Sequence, residues 1–288
     1  MKKIIVGGVP EHFNYPWHYG IQYGIFAKHG IDIQWVDVKG GSGAMCKMLD
    51  SGELDIALVL TEGIVKHIHT GSDARIIQQF VKSPLIWGVH SNTAKELDSN
   101  DLSKARFARS RKGSGSHIMS FVHAEQKGYD ISEDNFLTVG NMEGALEAFE
   151  QDTADILLWE KFMTQPYVTK GTVNRIGLCV SPWPCFMTAA SGGFLKGNHE
   201  DITALCNAIV ESCVTVTESP DTIEKIAKLH NLKTSQVAEW YSSVEWQTSG
   251  WVSKKMLQNV TSTLKRVNIL EEQLLSPIDL CYSEAKLY

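Results

Sequence analysis

Two glutamates at corresponding places in two similar stretches of sequence are the residues best placed to do chemistry. Glu62 follows the apolar run 56–60 and Thr61, and Glu160 ends the apolar run that begins at Ile156. In a closed ligand site a carboxylate attracts an amine, an amidine or a ring N–H group. A glutamate at the start of a helix is also favoured by the helix dipole, so a structural role stays open for both.

Two loops rich in glycine and serine each precede a predicted helix, at residues 40–43 and 113–117. Free amides at a helix N-terminus, with small residues that let a ligand approach, can bind an anion or a carbonyl group. Serine and glycine are also ordinary helix caps, and neither loop continues into the GK[ST] of a P-loop. The candidates from these loops are Ser42, Ser114, Ser116 and His117.

The segment His12–Trp17 concentrates aromatic, histidine and asparagine side chains between the first predicted strand and the first helix. Such a segment either packs over the fold or forms one wall of a ligand site, and both interpretations stay open. Its candidate ligand contacts are His12, Asn14 and Trp17. Trp159, beside Glu160, and Trp183 could stack on a flat ligand, although a core position is equally consistent for each.

The sequence defines no catalytic set and no metal site by spacing. His67 and His69 lie two residues apart and therefore face different sides of a helix. The six cysteines form no CxxC pair, so we expect reduced, buried thiols. We expect no catalytic residue, no metal and no cofactor.

The two glutamates end units that echo each other about a hundred residues apart. Each unit is a short amphipathic helix, a polar turn, an Asp-Ile step at Asp55 or Asp155, and an apolar strand. Alternating strands and helices predict α/β lobes with parallel-rich sheets, in which ligands bind outside the carboxyl ends of strands. We predict a discontinuous lobe one (1–88 and 186–288, with a helical tail) and a lobe two (89–185).

Local patterns refine this prediction at three places. A helix from Trp17 to Gly30 is expected, because apolar residues recur at helical spacing up to a glycine stop. Pro84 predicts a break between two strands, and after a strand at 173–179 the chain is predicted to turn helical beyond Pro182–Pro184. Both places are candidate crossings between the lobes.

Composition limits the possible partners. The 288 residues carry 27 basic and 33 acidic side chains, a formal charge of −6, so no nucleic-acid footprint is expected. No apolar stretch approaches membrane-spanning length, so no membrane insertion is expected. The N-terminus lacks a signal-peptide core, which predicts a cytoplasmic protein, or a periplasmic or cell-surface one whose export signal has been removed. We expect a monomer.

Several motifs resemble ABC-transporter substrate-binding proteins of the branch that gathers sulfonate, nitrate, taurine and thiamine-pyrimidine binders with the thiamine-precursor synthases. The resemblance rests on the runs 10–17, 24–31, 40–45, 52–57, 113–117 and 154–156, and it covers about residues 1–195. It implies a type II periplasmic-binding-protein fold with a small molecule held between two hinged lobes. It also implies ligand contacts from the ten candidates His12, Asn14, Trp17, Ser42, Glu62, Ser114, Ser116, His117, Trp159 and Glu160.

The chain departs from the synthases of this branch, which carry a cysteine-rich iron motif where this sequence has 183–187. That departure argues against iron-dependent synthesis. The expected function is therefore a solute-binding protein, not an enzyme, that closes on a small polar or heteroaromatic ligand and serves an ABC permease. The alternative is a cytoplasmic biosynthetic enzyme on the same fold, of the thiamine-pyrimidine or menaquinone-pathway type.

Overall fold

Strands and helices alternate through the first 190 residues, as the sequence predicts. The structure is a computed structural model and describes residues 1–271 and 273–288. The described strands are β1 (Lys2–Gly8), β2 (Ile31–Asp37), β3 (Ile56–Leu60), β4 (Arg75–Ser91), β5 (Phe107–Arg109), β6 (Phe136–Thr138), β7 (Ile156–Glu160) and β8 (Asn174–Ala190).

The first seven helices lie between these strands: α1 (Tyr15–Gln22), α2 (Ile25–Lys28), α3 (Gly41–Ser51), α4 (Thr61–His69), α5 (Gly115–Lys127), α6 (Met142–Glu150) and α7 (Gln165–Thr169). After β8 the chain is mainly helical: α8 (Gly192–Leu195), α9 (His199–Glu218), α10 (Thr222–His230), α11 (Thr234–Tyr241), α12 (Lys254–Arg266) and α13 (Pro277–Leu280). None of these helices is long and apolar enough to span a bilayer.

The chain divides into two units by its internal contacts. Unit 1 contains Met1–Ser83, Trp183–Thr261 and the tail from Gln273, and unit 2 contains Pro84–Pro182 with a short segment that begins at Ser262. The sequence-based division assigned that short segment to lobe one with the rest of the tail; in the structure it packs with unit 2.

Each unit has its own set of paired strands. In unit 1, β1 lies between β2 and β3 and pairs with both in parallel, and β3 pairs antiparallel with the end of β8. In unit 2, β5 pairs in parallel with β6 and β7, and β7 pairs antiparallel with the end of β4. The carboxyl ends of the parallel strands therefore lie at one edge of each set, which is where α/β proteins bind ligands.

The predicted break between two strands at Pro84 is wrong, because β4 continues through it. The strand predicted to end at Cys179 is also longer, because β8 continues through Pro182 and Pro184 to Ala190. Proline is tolerated in a strand where no ladder hydrogen bond needs its nitrogen. Leu85, directly after the first proline, donates its N–H to Ser181 Oγ at 3.0 Å. A side chain thus supplies the acceptor for that amide.

The predicted single helix from Trp17 to Gly30 is also interrupted. Helix α1 ends at Gln22 and α2 begins at Ile25, because Gly24 adopts a left-handed conformation with φ of 73°. Glycine adopts this conformation without the steric cost that other residues meet. The apolar spacing continues across the break, which is why the sequence pattern does not reveal it.

The echoed units fold alike at their aspartates. In unit 1, Asp55 accepts the backbone N–H of Ile5 at 2.8 Å through Oδ2. In unit 2, Asp155 accepts the backbone N–H of Arg106 at 2.8 Å through the same atom. Each aspartate therefore ties the strand it begins to the neighbouring parallel strand. The Asp-Ile step of the sequence therefore marks the residue that joins each strand to its parallel neighbour.

Candidate functional site

Glu62 lies at the carboxyl edge of unit 1, as the second residue of α4 directly after β3. Its side chain is 2% exposed, and Oε2 accepts the indole N–H of Trp183 at 2.8 Å. Oε1 has no hydrogen-bond partner in the part of the chain that the structure describes. Burial raises the pKa of Glu62 to about 7, against smaller opposing effects of its own backbone amide and of Trp183. The residue therefore changes protonation near neutral pH.

Ser42 belongs to the same edge of unit 1. Its hydroxyl accepts the backbone N–H of Leu60 at 2.9 Å, at the last residue of β3. A Cβ built on Gly63 would lie 3.3 Å from Ser42 Cβ, so α3 and α4 begin close together there. Ser42 thus supports the turn that carries Glu62, and its hydroxyl already has a donor.

The segment His12–Asn14 approaches the same edge through an aromatic contact. The rings of Phe13 and Phe186 are 5.2 Å apart, and Phe186 pairs with Leu60 of β3. Asn14 donates its side-chain N–H to the carbonyl of Val9 at 2.7 Å, which fixes the turn after β1. Asn14 is therefore engaged inside the unit.

His12 packs against the face of the helical tail. Its ring lies 4.1 Å from that of Trp240 and 5.9 Å from that of His230. Burial, with a smaller effect of His230, lowers the pKa of His12 to about 3, so the ring is neutral at physiological pH. Trp17, by contrast, is 1% exposed and stacks on Phe26 in the core. The structure thus places His12 against the helical tail and Trp17 in the core.

Glu160 lies at the carboxyl edge of unit 2, as the last residue of β7. Its side chain is 5% exposed, and Oε2 accepts the backbone N–H of Met163 at 2.6 Å. Oε1 has no hydrogen-bond partner among the described residues. Burial raises the pKa of Glu160 to about 7, while backbone amides and the charges of Arg175 and Lys161 act in the opposite direction.

Trp87 lies directly opposite Glu160 in the antiparallel pairing of β4 with β7. Opposite residues of such a pair place their side chains on the same face. Trp87 is 5% exposed, and its indole N–H has no acceptor in residues 1–271 or 273–288. A buried donor and a buried acceptor oxygen, both unpartnered, therefore share one face of unit 2.

Trp159 faces away from Glu160, because neighbouring strand residues alternate between faces. Its partly buried ring packs against the cluster of α6, β5 and β7 that contains Phe149 and Leu157. This position favours packing over ligand stacking for Trp159.

The loop before α5 confirms the predicted helix start: Ser114 is the N-cap and α5 begins at Gly115. Ser114 Oγ accepts the N–H of His117, and Ser116 Oγ accepts the N–H of Ser110 at 3.0 Å. Both serines are 3% exposed. Their hydroxyls thus serve the loop itself.

His117 is enclosed in the same unit, with no exposed surface. Its Nδ1 accepts the N–H of Gly113 at 2.9 Å, and its Nε2 lies 3.0 Å from a Glu133 oxygen. The same Nε2 lies 2.7 Å from Nη1 of Arg109, so the ring is enclosed by Gly113, Glu133 and Arg109. Arg109 completes the cluster, with Nη1 2.8 Å from the other Glu133 oxygen. This network accounts for His117 without a ligand.

Sequence reasoning did not single out Trp87 or Arg175, and it considered Trp183 only as a stacking side chain. All three are placed by strand register, which the sequence alone does not give. The described residues contain no group of three His, Cys, Asp or Glu side chains that could hold a metal ion. What the two edges can do chemically is accept hydrogen bonds or exchange a proton.

Comparison with known proteins supports the fold described above. A family model described as Ca3427-like PBP matches residues 87–179. A structure of the Candida albicans CA3427 gene product, described as having the generic periplasmic binding protein fold, shares 26% identity. It covers 100% of this chain and 96% of its own, with a TM-score of 0.86. A comparison with curated protein sequences returns no match.

Two further similar structures are of proteins that are named for the ligand they bind. The alkanesulfonate-binding protein SsuA of Xanthomonas axonopodis pv. citri is 13% identical over 100% of this chain and 98% of its own, with a TM-score of 0.77. The nitrate-binding protein NrtA of Synechocystis PCC 6803 is 11% identical over 95% of this chain and 83% of its own, with a TM-score of 0.71. The matched family model and these structural neighbours are type II periplasmic binding proteins, and the predicted α/β fold of this chain is confirmed as theirs.

Proposed function

We propose that this chain is a solute-binding protein whose small polar or heteroaromatic ligand contacts the glutamate edges of both units. One observation, made in each unit, carries the proposal: a buried glutamate has one oxygen bonded within its unit and another without a partner among the described residues. A buried polar atom without a hydrogen bond is costly. A ligand that donates to Glu62 and to Glu160 would offset that cost in both units.

The same observation narrows the ligand class. An ionised carboxylate repels an oxyanion, so the pair argues for a ligand with N–H donors rather than for a sulfonate or a nitrate. An amine, an amidine or an aminopyrimidine has such donors. A ligand that also carries an acceptor could bond the free indole N–H of Trp87 beside Glu160.

We further propose that the protein serves an ABC permease. This part rests on the resemblance of the sequence motifs to ABC-transporter substrate-binding proteins. Closure on the ligand would follow ordinary population shift, since a ligand that contacts both units favours the state in which both contacts are made.

A biosynthetic enzyme on the same fold is the second candidate, and one observation favours it. The pKa values of Glu62 and Glu160 are both raised to about 7, which suits a group that accepts and returns a proton near neutral pH. The two candidates differ in what happens to the ligand: a binding protein releases it unchanged, whereas an enzyme releases a product.

Native mass spectrometry of protein purified without denaturation tests the proposal. A solute-binding protein should carry a small molecule of defined mass, which small-molecule mass spectrometry then follows after rebinding and release. Glu62→Gln and Glu160→Gln should reduce the occupied fraction, while the exposed control Glu143→Gln should not. Chemical conversion of the rebound molecule would favour the enzyme.

A further inference from the structure

A patch of exposed aromatic and lysine side chains in unit 1 shares no residue with the glutamate edge. We call it the aromatic–lysine patch, and it consists of Trp251, Lys254, Lys255, Lys286 and Tyr288. Trp251 is 41% exposed and Tyr288 is 65% exposed, and all three lysines are exposed as well. The five residues belong to unit 1, so the patch does not depend on the proposed ligand site.

Backbone hydrogen bonds hold the two halves of the patch together. Val252 donates its N–H to the carbonyl of Lys286 at 2.8 Å, and Lys254 donates its N–H to the carbonyl of Tyr288 at 2.9 Å. Val252 forms a parallel β-bridge with the tail and is completely buried. Because side chains alternate between the two faces of paired extended segments, Trp251, Lys286 and Tyr288 share the outward face.

Trp251 and Tyr288 form the apolar part of the patch. Their ring centroids are 6.2 Å apart and their planes meet at 74°, an edge-to-face contact. Tryptophan and tyrosine combine an apolar ring with a polar N–H or O–H group, and for this reason they favour the boundary between water and lipid. The two rings are not parallel platforms, which successive bases of a nucleic acid need for stacking.

Two of the lysines lie where helix stability disfavours them. Lys254 and Lys255 are the first two residues of α12, and its first turn contains no acidic residue. The helix dipole favours negative charge at this end, so both lysines are unfavourable for the helix. The start is otherwise well formed, since Ser253 Oγ accepts the N–H of Met256 at 3.2 Å. The stability of α12 therefore does not explain the two lysines.

The positive charge of the patch is not neutralised by neighbouring acids. Residues 249–260 and 285–288 contain three lysines and no acidic side chain. The ammonium groups of these lysines form no ion pair within the part of the chain that the structure describes. Glu284, two residues before Lys286, instead has its Oε1 3.3 Å from Nδ1 of His199.

We propose that the aromatic–lysine patch docks the protein on an anionic phospholipid surface. Acidic headgroups attract the three lysines, while the rings of Trp251 and Tyr288 enter the headgroup layer. The chain as a whole has a formal charge of −6, so an anionic surface repels most of the molecule. The patch therefore also sets the orientation in which the protein binds. The docking is peripheral, through side chains at the protein surface.

Co-sedimentation of the full chain with phospholipid vesicles tests the proposal. Vesicles of phosphatidylcholine with added phosphatidylserine should bind the protein at low salt, and vesicles of phosphatidylcholine alone should not. Binding should weaken as salt is added, because salt screens the lysine charges. No binding to the phosphatidylserine vesicles, or equal binding to both kinds of vesicle, would overturn the proposal. Binding of oligothymidylate or of an acidic peptide without binding to vesicles would overturn it as well.

Charge variants assign the binding to the patch. Each lysine close to an anionic surface contributes about fivefold in affinity, so Lys254→Gln combined with Lys255→Gln should weaken vesicle binding about tenfold or more. The matched control, Lys47→Gln combined with Lys104→Gln, removes the same two charges from exposed positions elsewhere and should lose much less. Equal losses would show that overall charge governs the binding, and they would contradict the proposal.

An aromatic variant tests the apolar part of the patch. Trp251→Ala should weaken binding to phosphatidylserine vesicles even at a salt concentration that screens the lysines, and its Tm should match that of the wild type because the ring is exposed. The matched control Leu229→Ala changes another exposed apolar residue and should bind like the wild type. Unchanged binding of Trp251→Ala would contradict the role of the ring. If a variant does not fold, the comparison of the two kinds of vesicle on the wild-type chain still decides.

Discussion

The two echoed units share their scaffold and differ in how they hold their glutamates. Asp55 and Asp155 make the same contact to the backbone N–H of the neighbouring strand. Glu62, however, is held by an indole, whereas Glu160 is held by the backbone amide of Met163. The repeated sequence thus sets where each carboxylate lies, and the surrounding unit supplies its partner.

The electrostatic surroundings of the two glutamates differ as well. Arg175 and Lys161 lower the pKa of Glu160 by their charge, although burial outweighs them. Burial also raises the pKa of Glu62, and the effects that act against this rise are hydrogen bonds from its own backbone and from Trp183. In both environments burial raises the pKa of the glutamate to about 7, and one carboxyl oxygen has no hydrogen-bond partner among the described residues.

The largest expected difference between the units lies in their aspartates. Asp155 accepts two hydrogen bonds from the Arg106 guanidinium, at 2.9 and 2.8 Å, besides the shared backbone contact. Asp155→Ala should therefore lower the free energy of unfolding by about 3 kcal/mol, and Asp55→Ala by about 1–2 kcal/mol. Urea denaturation at pH 7 measures both, and equal losses would contradict the comparison.

The pH dependence sharpens this first prediction. Hydrogen bonds from Arg106, above all, hold the pKa of Asp155 well below its usual range. The stability that this provides is complete above pH 3.8, the ordinary value, and is lost as the pH falls below it. The losses of unfolding free energy in Asp155→Ala and in Asp55→Ala should therefore become more similar below pH 4.

The two glutamates should change the stability with pH in the opposite direction to Asp155. Folding raises the pKa of both from 4.5 to about 7, so the stability that their protonated forms contribute is complete below pH 4.5 and is lost as the pH rises through 7. Glu62→Gln and Glu160→Gln should each raise the unfolding free energy of the ligand-free protein at pH 8, by up to about 3 kcal/mol. Urea denaturation at pH 4.5 should show almost no gain. The same gain at both pH values would refute the buried titration.

Two buried tryptophans differ in whether the indole N–H donates a hydrogen bond to a glutamate. Trp183→Phe removes the donor to Glu62 and should cost about 1–2 kcal/mol more stability than Trp87→Phe, since the Trp87 indole N–H has no acceptor in the described part of the chain. Both side chains are similarly buried, so Trp87→Phe is the matched control. Equal losses of stability in the two variants, measured by thermal or urea denaturation, would mean that the hydrogen bond to Glu62 does not stabilise the fold.

The smallest effect is expected at the serine loop. The sequence suggests that Ser114 and Ser116 bind ligand directly, but their hydroxyls bond to amides of their own loop. Ser114→Ala should therefore cost about 1 kcal/mol of stability, the usual value for an N-cap, and change affinity only through that loss. A large loss of ligand affinity in Ser114→Ala with unchanged stability would show that the Ser114 hydroxyl binds the ligand directly.

The repeats and the alternating pattern of the sequence predict the fold and the start of α5, because each depends on neighbours within one element. The continuity of β4 through Pro84 depends instead on partners far along the chain, among them Ser181. Trp183 is 121 residues from Glu62 in sequence, so only strand register reveals that contact. The sequence therefore predicts the two glutamates as candidate site residues but does not predict which side chains contact them.

The segment His12–Trp17 shows the same limit within a few residues. A common ligand wall is one of the two interpretations that its aromatic content leaves open, but Trp17 lies in the core and His12 packs on the helical tail through Trp240. Side chains five residues apart diverged because a short helical turn at His12–Asn14 precedes α1. A pattern of residue types does not encode that change of direction.

The central claim is that Glu62 and Glu160 each offer a buried oxygen to one ligand. Isothermal titration calorimetry with the molecule recovered by native mass spectrometry tests it on the wild type, on each Glu→Gln variant and on the double variant, with Glu143→Gln as control. If the ligand carries an amine or amidine, each single variant should weaken binding at least tenfold. Affinity of the wild type should fall as the pH drops below 7, since protonated glutamates no longer attract the cation. Equal affinity of the wild type and both single variants would contradict the account.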